Sequence, residues 1–107
     1  MDSLHEFKAN LFRTLANPTR LRILELLQVA GSLTVGEIQQ RLGVGPANVS
    51  QHLAVLRAQG LVATRREGTS VWYRVRDPEV YKLLETGTRI FERQVQAHRD
   101  VLDASRS

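Results

Sequence analysis

Six arginines lie between residues 41 and 76, at positions 41, 57, 65, 66, 74 and 76, and Glu67 is the only acidic residue among them. Residues 1–40 are neutral in sum and residues 77–107 carry one net negative charge, so the formal excess of +4 belongs to the middle segment. A guanidinium is planar, always charged, and matches phosphate oxygens and guanine edges with paired donors. The chemistry open to this segment is therefore recognition of a nucleic acid; a solvated basic face without a partner is the reading that charge alone would also permit.

Residues for other chemistry are missing or scattered. Cysteine is absent, which removes disulfides, thiolate metal sites and cysteine nucleophiles together. His5, His52 and His98 fall on three separate elements, with no nucleophile, base and oxyanion donors gathered around them, so the chain is read as a binding protein and not as an enzyme. His52 lies about 60° from the core-facing side of its helix, where a packed, hydrogen-bonded role is expected. His5 and His98, with Asp2, Glu6 or Asp100, would suit nickel, zinc or cobalt if they met across a dimer.

The frame for these residues is one domain: 107 residues, 42% apolar and 24% charged, match average globular composition. No run approaches the roughly 18 apolar residues of a membrane span, and the first ten residues are too charged for a signal peptide, so no membrane partner and a cytoplasmic location are expected. Ser3 with Glu6 forms a capping box that opens a first helix running to about Ala16, with Leu4, Phe7, Leu11 and Leu15 on one stripe. Asn17-Pro18 starts a second helix, whose Leu21, Ile23, Leu24 and Leu27 face inward and which Gly31 stops. Thr34 with Glu37 caps a short third helix, stapled by Leu33 and Ile38, that ends near Leu42.

Gly43-Val44-Gly45 then makes a three-residue turn into a fourth helix, Pro46 to about Gln59, which buries Val49, Leu53 and Leu56 and is closed by Gly60. Its opposite face holds Ala47, Gln51, Ala54 and Ala58, flanked by Asn48, Ser50 and Arg57. Such small, short-armed side chains let a helix approach another surface closely. Val62 to Arg66 and Ser70 to Arg76 read as a hairpin around Glu67-Gly68-Thr69, with Val71, Tyr73 and Val75 alternating with Trp72, Arg74 and Arg76. The expected fold is mainly α with a small β-hairpin, a winged helix-turn-helix. Asn48, Ser50, Gln51 and Arg57 of the fourth helix, with Arg65, Arg66, Thr69 and Ser70 of the wing, are the expected contacts to double-stranded operator DNA.

Asp77-Pro78 opens a last helix that runs to about Leu102, roughly 39 Å at 1.5 Å per residue, longer than so small a domain can cover. Its stripe outruns its own core and needs a second chain, so the two terminal helices are expected to form a homodimer through Leu4, Leu11, Leu84, Gly87, Ile90, Phe91 and His98. The domain is placed at residues 1–103 and a disordered tail at 104–107.

The run Leu11-Phe12-Arg13-Thr14-Leu15-Ala16-Asn17-Pro18-Thr19-Arg20-Leu21-Arg22-Ile23-Leu24 resembles the opening of ArsR/SmtB-family regulators, and Val49-Ser50-Gln51-His52-Leu53-Ala54-Val55-Leu56-Arg57 resembles their recognition helix. Gly60-Leu61-Val62, Arg65-Arg66-Glu67-Gly68 and Trp72-Tyr73-Arg74-Val75 are similar to the wing of the same family. The resemblance implies a homodimeric repressor that leaves its operator when an effector binds. Where it would place an arsenic-type Cys-Val-Cys, this chain has Thr34-Val35-Gly36, and at the four positions of a zinc-type site it has Asp77, Glu79, Ile90 and Arg93. The effector is then a metal such as nickel or zinc held elsewhere, by His5 and His98, or an organic ligand, or a co-regulator protein. A winged-helix module that binds an acidic protein is the competing function, and preference among duplex sequences separates the two.

Overall fold

Prolines, glycines and short polar caps set most element boundaries in the computed structural model, which describes residues 2–106. Helix α1 is Ser3–Leu15, α2 Pro18–Ala30, strand β1 Leu33–Thr34, α3 Val35–Leu42, α4 Pro46–Ala58, β2 Val62–Glu67, β3 Ser70–Val75 and α5 Glu79–Arg106. Asn17 caps α2 by accepting from Arg20 N at 3.1 Å, and Thr34 and Glu37 exchange both bonds of a capping box at the start of α3. The turn between α3 and α4 depends on Gly43, whose φ of 68° is left-handed and lets its N–H close α3 on the Gln39 carbonyl at 2.8 Å.

Three boundaries differ from the sequence expectation. The cap of α1 is Asp2 and not Ser3: the Asp2 carboxylate accepts from His5 N at 3.1 Å, and a carboxylate serves a helix N-terminus better than a hydroxyl because it also meets the helix dipole. The wing is part of a three-stranded antiparallel sheet of order β1-β3-β2, in which Leu33 pairs with Tyr73 and Thr34 with Trp72. Two residues are too few to show strand periodicity, and both already serve as staple and cap for α3. Helix α5 continues through Ala104, Ser105 and Arg106, where a disordered tail is expected from sequence; no glycine or proline stops it there. Ser107 lies outside the described residues.

The core joins Ile23, Leu24 and Leu27 of α2 to Ile38 and Leu42 of α3 and to Val49, Leu53 and Leu56 of α4, with Leu33, Leu61, Val62 and Val75 closing the sheet side. Each such side chain contributes about 1.5–3 kcal/mol by leaving water, and seven of them keep less than 2% exposure. The helix-turn-helix is thus rigidly seated. The terminal helices are not: α5 buries only Val80, and α1 leaves Leu4, Phe7 and Phe12 exposed. The 28-residue α5 spans about 42 Å, and the radius of gyration is 17.3 Å where a compact chain of this length has about 13 Å.

Candidate nucleic-acid interface

Helix α4 is held by its apolar side. With Val49, Leu53 and Leu56 buried, the 100° turn per residue sends Asn48, Ser50, Gln51, Ala54 and Arg57 outward, and all five are exposed. Among the described residues, no protein group accepts from or donates to the side chains of Asn48, Ser50 or Gln51. Their donors and acceptors are therefore available to a partner. The N-cap of α4 is Gly45, which has no side chain to cap the helix, so the N–H groups of the first turn that follow Pro46 have no side-chain acceptor there.

The wing stands beside this face. A shallow groove of about 420 Å³ runs between α4 and β3, lined by Ser50, Leu53, Ala54, Arg57, Ala58 and Tyr73. The hairpin register sets Arg65 opposite Trp72 and Arg66 opposite Val71, so the two adjacent arginines project from opposite faces of the wing. Arg65 Nε lies 3.2 Å from Glu67 Oε1 with both side chains more than half exposed, a pair too solvated to hold Arg65 firmly. Arg66 and Arg74 have no ion pair among the described residues. Gly68, at φ 61°, supplies the positive φ of a two-residue hairpin turn and leaves Thr69 and Ser70 exposed at the tip. Tyr73, read from sequence only as part of the apolar face, also lines the groove; its alternation with Trp72 and Arg74 gives no sign of that second role.

The expected dimer residues divide into two groups. Leu4, Gly87, Ile90, Phe91 and His98 are exposed, whereas Leu11 and Leu84 are half-buried against the protomer's own core. Phe12, Leu21, Leu83, Gly87, Ile90 and Phe91 border an apolar cleft of about 630 Å³ between α1, α2 and α5.

His5 and His52 are separately employed. His5 Nδ1 is hydrogen-bonded to the Asp2 carboxylate, which holds the Asp2 carboxyl below its usual range. His52 Nδ1 accepts from Arg20 Nε at 3.2 Å, the packed role expected of it. No group of three or more His, Asp or Glu able to hold a metal ion occurs among the described residues of one protomer. At the positions of the zinc-type site, the Asp77 carboxylate is used to cap α5, accepting from Glu79 N at 3.0 Å, and Ile90 and Arg93 offer no ligand atom. That donor set does not fit the metal. Among the described residues, no helix is long and apolar enough to cross a membrane.

A family profile described as a helix-turn-helix domain matches residues 15–65. An uncharacterized HTH-type transcriptional regulator of Mycobacterium tuberculosis, Rv0081, is 38% identical over 107 residues, covering 99% of this chain and 93% of its own. Its crystal structure superposes with a TM-score of 0.81 over 92% of this chain and 98% of that one. The biofilm growth-associated repressor of Xylella fastidiosa is 40% identical over 83 residues, 78% of this chain and 72% of its own. A homodimeric winged helix-turn-helix DNA-binding domain from Mycobacterium bovis, a candidate ArsR-family regulator, is 33% identical with a TM-score of 0.75, over 84% of this chain and 82% of its own.

Proposed function

This chain belongs to the ArsR-type winged helix-turn-helix transcriptional regulators, and from that membership we propose that it is a homodimeric repressor whose α4 reads operator DNA and whose dimer helices receive the releasing signal. The observation that carries the reading is the pairing of an exposed, short-armed and hydrogen-bond-free α4 face with an arginine wing across one shallow groove. Asn48, Ser50 and Gln51 reach base edges in the major groove, where short amide and hydroxyl side chains discriminate among bases. Arg57, Arg65, Arg66, Thr69 and Ser70 hold the backbone or the minor groove, which fixes register and supplies most of the affinity. The protein acts by binding and not by catalysis, in the cytoplasm where its operator lies.

The exposed stripes of α1 and α5 supply the dimer. Two copies of Ile90 and Phe91 covering each other remove apolar area that one protomer leaves in water, and two-fold symmetry then sets the spacing of the two recognition helices. The signal enters at these same helices. With no cysteine in the chain, thiolate capture of arsenic-like effectors is not open to it. His5 and His98 would hold nickel or zinc only if ligands from both protomers meet, since one protomer supplies no three-ligand group among its described residues. An organic ligand or a co-regulator protein acting on the α1–α5 cleft is the alternative input.

Measured affinity against salt tests the wing. Removing one phosphate contact lowers the slope of log affinity against log salt by about 0.9. Arg66→Ala should therefore flatten the slope by about that amount per protomer and weaken all duplexes alike. An unchanged slope would remove Arg66 from the interface.

A further inference from the structure

His52 follows Gln51 on α4, is half-buried, and accepts at Nδ1 from Arg20 Nε at 3.2 Å across 32 positions of sequence. Among the described residues this is the only side-chain hydrogen bond between α4 and another element. Arg20 is itself fixed: its second guanidinium nitrogen donates to the Thr14 carbonyl at 3.2 Å, and its backbone N–H donates to the Asn17 cap at 3.1 Å. One guanidinium thus ties the end of α1 and the start of α2 to the middle of α4. A guanidinium has donors only, so the tie exists only while Nδ1 is unprotonated.

We propose that His52 is a positioning residue for the recognition helix, held through Arg20, and that its protonation loosens α4 and lowers the preference for operator over other duplexes. The proposal rests on the operator-binding reading above. Helix α4 packs on α2, α3 and β2. Of their charged residues, Arg22 and Glu25 on α2, Glu37 and Arg41 on α3, and Arg65, Arg66 and Glu67 on β2 make no hydrogen bond or ion pair with His52. No carboxylate among them stands ready to stabilise the imidazolium. Burial first, and then the Arg20 charge, hold His52 below its usual value of 6.5. The neutral acceptor is therefore present at pH 7, and the tie is lost as pH falls through the lowered value. Once protonated, His52 would present a donor and a positive charge to Arg20, 3.2 Å away.

The test measures the affinities of the full chain for operator and for a scrambled duplex between pH 5 and 8, at fixed ionic strength, for wild type, His52→Ala and His52→Asn. Asparagine places a carbonyl oxygen near the position of Nδ1, accepts from Arg20 and does not titrate. The wild-type affinity ratio should fall by about tenfold per protomer at the acid end, the factor that one charge-assisted hydrogen bond commands. His52→Ala should have a low ratio throughout. His52→Asn should restore most of what alanine loses and stay flat across the range. An acid loss of equal size in His52→Asn, or a flat wild-type ratio, overturns the proposal. A wild type with no duplex preference even at pH 8 instead overturns the operator-binding reading itself.

Discussion

Phe91→Glu should convert the protein to a folded monomer and weaken operator binding by about 10³-fold or more, down to the level of non-specific association. Phe91 is 65% exposed in one protomer, so the substitution leaves the protomer's core intact and its helical circular dichroism should persist. On the proposed dimer stripe it stands beside Ile90 and Gly87, which line the same cleft of the protomer, and there an unpaired carboxylate would have to lose its water. Two half-sites bound together are worth far more than either alone, because the second contact is made within a complex already formed. Sedimentation and duplex titration measure the two effects separately. A Phe91→Glu protein that sediments as a dimer would place the interface elsewhere.

Helix α4 should separate stability from affinity at positions only two residues apart. Leu53 is 1% exposed in the centre of the core, and Leu53→Ala should cost about 2–5 kcal/mol of folding free energy, a large part of the roughly 5–15 kcal/mol that holds a small domain together. Thermal unfolding should move down by about 10 °C or more. Gln51 is exposed and its side chain makes no hydrogen bond among the described residues, so Gln51→Ala should leave the melting curve in place. It should weaken the operator complex by about 1–3 kcal/mol per half-site and leave scrambled duplex almost unaffected. Loss of stability in Gln51→Ala, or equal loss on both duplexes, would show that the outward face of α4 does not read bases.

Fold features are legible in the sequence where their causes are local. Asn17-Pro18, Thr34 with Glu37, and Gly43-Val44-Gly45 each settle a boundary within a few residues, and the structure places all three as expected. The period of Val49, Leu53 and Leu56 also assigns the inward side of α4, and with it the outward Asn48, Ser50 and Gln51. Legibility ends where the cause is distant or where one residue serves twice. The strand Leu33–Thr34 exists because β3 offers it a partner about forty residues on. Arg20 has the pattern of an ordinary exposed helix residue, and only the approach of α2 to α4 reveals its bond to His52. The α1 stripe is legible as apolar, yet its period alone does not tell which of its residues the protomer's own core covers; the structure leaves Leu4 and Phe7 exposed and half-buries Leu11.

Reading of a duplex sequence by α4 and the wing of a symmetric dimer is tested most directly by selecting bound sequences from a pool of random duplexes with the wild-type protein. The expected result is enrichment of an inverted repeat, with half-site centres separated by one helical turn of about 10–10.5 base pairs or a multiple of it. Recovery of a pool no different from the starting one, with equal affinity for every duplex, would contradict it.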